Sequence, residues 1–260
     1  HDQSRSLRVD IAAPDVPTVH GLKTNTATPL VLSGLAQKLD AQTQMPIALE
    51  AGDVIHIELD GQTCELTIGA SVNGLTYDAL TKTWTLDTAQ AGFTALAAGV
   101  YNVVITITSG QVPVTDVSTD ELDINDAAPE LTLHPVTGDD KIDAFDSTQT
   151  LILSGTTNAA PGSQVTLQVA GQTFTTEVFV DEIGQRLFWV DTGTTPAALM
   201  AGQNGDLVIA ASVLNEYGND LQLSHDVPVD VQAPGQNADG TDAAVSQPLL
   251  VIAETAQGLN

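Results

Sequence analysis

The chain has 260 residues, enough for two cores of domain size, with seven Lys and Arg against 33 Asp and Glu and a formal net charge of −26. Such acidity excludes nucleic acid and anionic membrane surfaces, which need basic patches, and makes divalent cations the natural counter-charge. Hydrophobic residues make up 42% of the chain and alternate with polar ones, so this is no disordered acidic tail; no window approaches the ~18 consecutive apolar residues of a membrane span.

Read in order, the chain opens on Val9-Asp10-Ile11-Ala12-Ala13-Pro14, and the phrase returns as Leu122-Asp123-Ile124-Asn125-Asp126-Ala127-Ala128-Pro129 and as Val229-Asp230-Val231-Gln232-Ala233-Pro234. Each reads as a closing strand followed by Ala-Pro. Proline fixes φ and donates nothing to a ladder, so it makes a stiff, extended exit from one domain into the next. The landmarks inside the repeats recur in the same sequence. Leu30-Val31-Leu32-Ser33-Gly34 is followed by alternating Ile55, Ile57 and Leu59, the turn Asp60-Gly61, Trp84-Thr85-Leu86-Asp87, a short helical turn at Ala95–Gly99 and alternating Val103, Ile105 and Ile107. The second set runs Leu151-Ile152-Leu153-Ser154-Gly155, then Val165, Leu167 and Val169, the turn Ala170-Gly171, Phe188-Trp189-Val190-Asp191 and a helical turn at Ala198–Gly202. The tryptophans stand one position out of phase. They and Phe188 offer two readings, sugar-stacking platforms or plugs of the sandwich cores in equivalent strands, and the second is the expectation.

Period-2 alternation means one buried and one wet face. Many short strands with Gly, Asn and Asp turns, about 100 residues to the unit, predict an all-β fold of tandem Ig-like antiparallel β-sandwiches in an elongated arrangement. Residues 1–13 read as the trailing strand of a preceding domain or linker, 14–126 as the first sandwich, 127–231 as the second, and 232–260 as the cut-off start of a third. Cys64 is the single cysteine, so no intrachain disulfide staples either unit.

The densest chemistry lies at Gly138-Asp139-Asp140-Lys141-Ile142-Asp143-Ala144-Phe145-Asp146. Four carboxylates there repel one another unless they face open water or a cation. Ca²⁺ takes ~6–8 hard oxygens in flexible geometry, and Asp139, Asp143 and Asp146 recur at intervals suited to a loop curling round one ion. Calcium is favoured over a solvated acidic turn. The first unit has Lys23-Thr24-Asn25 at the comparable place, and the third has Asp239-Gly240-Thr241-Asp242. An Ig-like topology sets the acidic loop at the chain's exit from the domain, facing Asp230. At the preceding junction it brings Asn125, Asp126 and Glu130 toward Asn215 and Glu216. Catalysis finds no support. The five histidines are scattered, Cys64 lies in a strand-like run without an evident base, and no nucleophile elbow, zinc-protease or phosphate-loop sequence occurs.

These features together resemble the Ig-like extender repeats of large bacterial adhesins of the RTX type. The resemblance rests on Pro17-Thr18-Val19 through Leu22 and Thr24-Asn25 to Thr28-Pro29-Leu30, on the Thr- and Asp-rich run Asp116–Ile124 into Ala-Pro, and on the Gly138–Asp146 opening loop. The family's Asp-x-x-Gly-Asn loop has its match at Asn215-Glu216-Tyr217-Gly218-Asn219, with Asn for the usual Asp. The glycine-rich nonapeptide calcium repeat is absent. The resemblance implies a secreted, cell-surface, non-catalytic stalk, monomeric, whose partners are the neighbouring modules of the same polypeptide and Ca²⁺ at the domain junctions. The alternative it leaves open is that the sandwiches themselves bind a glycan or protein, or accompany a secreted polysaccharide-active enzyme. Gln257-Gly258-Leu259-Asn260 is similar to the opening of PA14-type sugar-binding modules, which implies a third domain split by such an insertion.

Overall fold

The computed structural model describes residues 12–201 and 205–231. They group into two compact units, the first running to Pro129 and taking in Leu214–Leu221, the second formed by Glu130–Val213 and continuing from Gln222. The phrase Val9–Ile11, the third unit with Asp239–Asp242, and the Gln257–Asn260 motif lie outside the described residues.

In the first unit, β1 (Ala13–Pro14), β2 (Leu22–Thr24), β3 (Val31–Leu35), β4 (Lys38–Leu39) and β5 (Pro46–Ile47) lead into the hairpin of β6 (Val54–Leu59) and β7 (Gln62–Thr67). There follow β8 (Leu75–Asp78), β9 (Thr83–Asp87), β10 (Gly99–Tyr101), β11 (Val103–Ser109), β12 (Val112–Thr115) and β13 (Leu122–Ile124). One antiparallel sheet runs β3-β9-β8 and the other β12-β11-β6-β7. Val103, Ile105 and Ile107 of β11 point inward between half-buried neighbours. They meet Leu32, Trp84 and Leu86 of the facing sheet in one core, which is what alternation with a period of two dictates. The last strand closes the unit by pairing parallel with β2. Ala13, read from the sequence as the end of a preceding segment, pairs instead with Leu39 of β4.

The second unit repeats the plan. Its elements are β14 (Leu131–Leu133), β15 (Ile142–Asp143), a 3₁₀ turn at Asp146–Thr148, β16 (Ile152–Thr157), β17 (Gln164–Val169), β18 (Gln172–Glu177), β19 (Phe179–Val180) and β20 (Arg186–Asp191). Helix α1 (Pro196–Leu199), β21 (Leu207–Leu214), β22 (Asp220–Val227) and β23 (Val229–Asp230) complete it. The sheets are β14-β16-β20-β19 and β18-β17-β21-β22, and β15 pairs parallel with β23 as β2 does with β13.

The repeated Ser-Gly has a steric cause. A Cβ on Gly34 would stand 1.8 Å from the Thr18 carbonyl oxygen and 2.8 Å from Trp84 Nε1. One on Gly155 would meet the Thr132 carbonyl at 2.0 Å and the Phe188 ring at 2.4 Å. Only glycine admits both a crossing backbone and a core aromatic ring. The same register corrects the reading of the tryptophans: Gly34 faces Trp84 and Gly155 faces Phe188, so Phe188 is the counterpart of Trp84. Phe188 is 1% exposed, whereas Trp189, one residue on along the pleat, is 54% exposed and plugs nothing.

The predicted helical turns also part company. Pro196–Leu199 is helical, with Thr195 accepting from the Ala198 N–H and proline in the first turn, both strong initiators. Residues 93–97 are irregular, because Gly92 and Phe93 stand where the second unit has Thr195 and Pro196 and the Thr94 N–H is held by Gln62 Oε1 at 2.6 Å. Among the described residues no helix is long and apolar enough to cross a membrane.

Candidate functional site

The acidic loop is built from its own side chains. The Thr137 hydroxyl lies 2.6 Å from the Lys141 carbonyl and accepts the Lys141 N–H at 3.0 Å. Asp140 turns the corner at φ +59, a left-handed conformation that Asp tolerates better than most residues, and its Oδ1 takes the Val136 N–H at 3.2 Å. Asp139 Oδ1 accepts from the Thr137 hydroxyl at 3.2 Å. Ile142 then drops into the core, and its N–H reaches the Pro228 carbonyl at 2.9 Å.

Asp143 and Asp146 serve each other. Asp143 Oδ1 accepts the N–H groups of Phe145 and Asp146 at 2.7 and 2.9 Å, and Asp146 Oδ2 takes the Asp143 N–H at 3.3 Å. This reciprocal cap starts the 3₁₀ turn in the manner of a capping box. The backbone N–H of Asp146 foremost holds the Asp143 carboxyl below its ordinary value, against some opposing burial. Across the parallel pair, Asp143 stands in register with Asp230. The imidazole of His225, not foreseen as part of this site, comes with Nε2 2.8 Å from Asp140 Oδ2. Its hydrogen-bond geometry is poor, so the contact is one of charge that depends on protonation of the ring.

The second predicted ligand set lies within the first compact unit, where the turn 214–221 packs. Asn125 Oδ1 accepts the Ala127 N–H at 2.8 Å, and its backbone carbonyl takes Asn219 Nδ2 at 2.6 Å. The Asp126 carboxylate holds the N–H and hydroxyl of Thr26 at 2.8 and 2.9 Å. Asn215 Oδ1 caps its own turn through Tyr217 and Asn219 N–H, and its Nδ2 donates to the Ala127 carbonyl at 3.0 Å. Glu216 is met by the Lys23 ammonium at 2.6 Å, and that same ammonium lies 5.4 Å over the Tyr217 ring. The Tyr217 hydroxyl donates to Asp123 Oδ2 at 2.7 Å. The hydrogen bond to Glu216 raises Lys23 above its ordinary value, and the bond to Asp123 does the same for Tyr217. Lys23, noted in the sequence only for standing where the second unit has acids, is the cation of this cluster.

A third charged cluster went unseen in the sequence. Lys38 Nζ lies 3.0 Å from both Glu50 Oε2 and Asp53 Oδ2, with the lysine side chain 4% and the aspartate side chain 8% exposed. Burial works against both charges, but hydrogen bonds win. Glu50 and Asp53 raise Lys38, while the Glu50 N–H, Ser109 and Lys38 lower Asp53. A lysine at an inward-facing position of a strand is the one sequence signal that pointed here.

Among the described residues no three His, Cys, Asp or Glu side chains converge as a metal cage. The Asn125, Asp126, Asn215 and Glu216 set does not fit an ion as it stands, since the side-chain oxygens of Asn125, Asp126 and Asn215 accept hydrogen bonds within the unit and Glu216 is already paired with the Lys23 ammonium. The Asp143, Asp146 and Asp230 end brings acids together on one turn and one strand pair without closing around a point. Cys64 is half-buried, burial pushes its thiol up, and it has no base beside it in the ladder; a nucleophile is not built there. His56 lies 3.6 Å from Glu65 on the wet face of the β6–β7 hairpin.

The fold therefore defines an all-β protein built of Ig-like antiparallel β-sandwiches. No family model and no curated protein matches the sequence. Among solved structures, the chain is similar to a Ca²⁺-stabilised adhesin with which an Antarctic bacterium binds ice, at 22% identity over 88% of this chain and 54% of that one, with a TM-score of 0.46. It is similar to a 1.5-MDa bacterial ice-binding adhesin at 22% identity, over 84% of this chain and 65% of that one, with a TM-score of 0.40. Fibronectin(III)-like modules of CbhA from Clostridium thermocellum follow at 12% identity, covering 85% and 94%, with a TM-score of 0.41. The chain thus spans between about half and two thirds of the two adhesin structures. At these scores the likeness carries no residue-by-residue or functional correspondence.

Proposed function

We propose that this chain is a non-catalytic spacing segment of a secreted bacterial surface adhesin of the RTX type, with an Ig-like sandwich over 14–126 and a second over 127–231. Its partners on this reading are the neighbouring modules of its own polypeptide, and it works as a monomer. The observation that carries the reading is duplication of structure, with no metal cage built in either unit among the described residues. Both units use a Ser-Gly beneath a core aromatic ring and a last strand closing parallel on the opening segment. The side chains singled out for chemistry serve to cap turns and pair charges. A polypeptide that spends its polar groups in this way sets distance and orientation.

Calcium belongs to this proposal at the exit of the second sandwich, where Asp143, Asp146 and Asp230, which do not converge on one point as they stand, would draw together on an ion with Asp139 or Asp140. The support is the in-register Asp143–Asp230 pair and the excess of negative charge; carboxylate oxygens of this kind are the donors Ca²⁺ prefers. Thermal unfolding with millimolar calcium and with EGTA tests it. A ligand at a hundred times its Kd stabilises by about 2.7 kcal/mol, so the midpoint should rise by several degrees. An identical midpoint in the two conditions overturns the calcium assignment and leaves the spacer reading to small-angle scattering of the chain.

A further inference from the structure

Phe188 and Trp189 are consecutive on β20, and the pleat sends them to opposite faces. Phe188 fills the core, and the indole of Trp189 stands in solvent at the middle of the outer face of the β14-β16-β20-β19 sheet. Its surroundings are ordered. Ser154 lies directly opposite Trp189 on β16, and beyond it His134 Nδ1 is 3.2 Å from the Ser154 hydroxyl. In the next row Thr156 faces Leu187, and in the row on the other side Ile152 faces Asp191. An apolar centre is thus bordered by hydroxyls, an imidazole and a carboxylate.

The first unit is an internal control. There Ser33 faces Thr85, and His20 Nδ1 is again 3.2 Å from the serine hydroxyl. The sandwich therefore builds the same His–Ser pair without any aromatic neighbour. The indole is not a requirement of the fold, and exposing it costs hydrophobic burial for no structural return.

We propose that this face of the second unit binds a neutral glycan. One hexose stacks its C–H face on the Trp189 indole, and its equatorial hydroxyls meet Ser154, His134, Thr156 and Asp191. The scale suits a sugar ring, since adjacent strands are ~4.8 Å apart and successive residues on one face ~7 Å apart. Charge rules out anionic occupants, and the hydroxyl-bearing rim points to a sugar among the rest. At a net charge of −26 the chain repels a second copy of itself and any anionic polysaccharide, whereas a neutral sugar meets no such barrier and has the donors and acceptors the rim requires.

Affinity electrophoresis of the 260-residue chain through gels holding soluble neutral β-glucan, galactomannan or starch, with fluorescence titration by cellohexaose, mannohexaose and maltohexaose, tests this. The buried Trp84 supplies a constant fluorescence background. Retardation by one of these polymers is expected. Trp189→Thr, which installs the residue the first unit already carries, should weaken it about tenfold or more, with Trp189→Phe between the two and the unfolding midpoint unchanged. Retention should persist in EGTA, which separates it from the calcium assignment. The proposal is overturned if none of the neutral glycans binds, if Trp189→Thr binds as the parent does, or if sedimentation velocity shows that Trp189 instead mediates a dimer.

Discussion

Ala170 occupies the left-handed region at φ +48 in the two-residue turn of the β17–β18 hairpin, where the first unit has Asp60 at φ +50. Each is followed by glycine with positive φ, the signature of a type I′ turn. An L-residue without a polar side chain pays about 1–2 kcal/mol there, so Ala170→Gly should stabilise the second unit by roughly 0.5–1 kcal/mol, read from the urea midpoint. Gly155→Ala should do the reverse, because its Cβ would stand 2.0 Å from a backbone oxygen and 2.4 Å from the Phe188 ring; a loss of about 3 kcal/mol is expected. Lys38 and Asp53 form the most buried ion pair among the described residues. Lys38→Met would leave Asp53 buried and unpaired, at a cost of about 3–5 kcal/mol in the first unit, read from the same urea midpoint. The pH dependence follows from the same pair. Asp53 is held below its ordinary 3.8, so its contribution is complete above that pH and fades as acid reaches the lower folded value. Lys38 is held above 10.5, so its part is present below that pH and lost as alkali passes the higher folded value. Urea midpoints across pH should show stability falling at both ends, and Lys38→Met should flatten both limbs.

At the scale of elements, the loop between β14 and β16 separates two roles that one residue can hold together. Asp143 caps the 3₁₀ turn with two N–H bonds, and on the proposed function it also binds calcium. Asparagine caps about as well as aspartate but brings no charge to a cation. Asp143→Asn should therefore keep the unfolding midpoint measured in EGTA and lose the rise on adding calcium. Asp143→Ala should lower the midpoint in both conditions. If Asp143→Asn responds to calcium as the parent does, the ion is held elsewhere. The strand β15 depends on Ile142, which is fully buried while its backbone bonds to Pro228.

For the whole molecule, 33 acidic residues against seven basic ones mean that self-repulsion opposes folding at low ionic strength. Screening acts over about 10 Å at 0.1 M salt, so the midpoint should rise with sodium chloride even without calcium. A calcium effect that is specific must exceed that of sodium at equal ionic strength. Lys23 and Lys38 are two of the few cations in the chain, and each sits among carboxylates. In the first unit, the counter-charge that acidity demands is partly covalent.

Alternation, the returning Ala-Pro phrase and the Asp60-Gly61 and Ala170-Gly171 turns made the all-β sandwich legible before any coordinates, because burial of one strand face is written directly into a period of two. Topology placed the acidic loop toward Asp230, since an opening loop and a closing strand meet at one end of such a fold, but the register that sets Asp143 beside Asp230 came only from the structure. What each acid does there was not legible either. Asp143 and Asp146 cap one another through backbone N–H groups, and Glu216 is paired with a lysine 193 residues away, a partnership that no local pattern encodes. Which of two adjacent aromatics faces the core was likewise undecided by composition or motif. It hangs on strand register, and a shift of a single residue reverses every side chain. The duplicated architecture follows from the order of apolar residues along the chain. The charge pairs and the outward indole come from tertiary packing alone, which sets distant segments side by side and fixes the face each side chain takes.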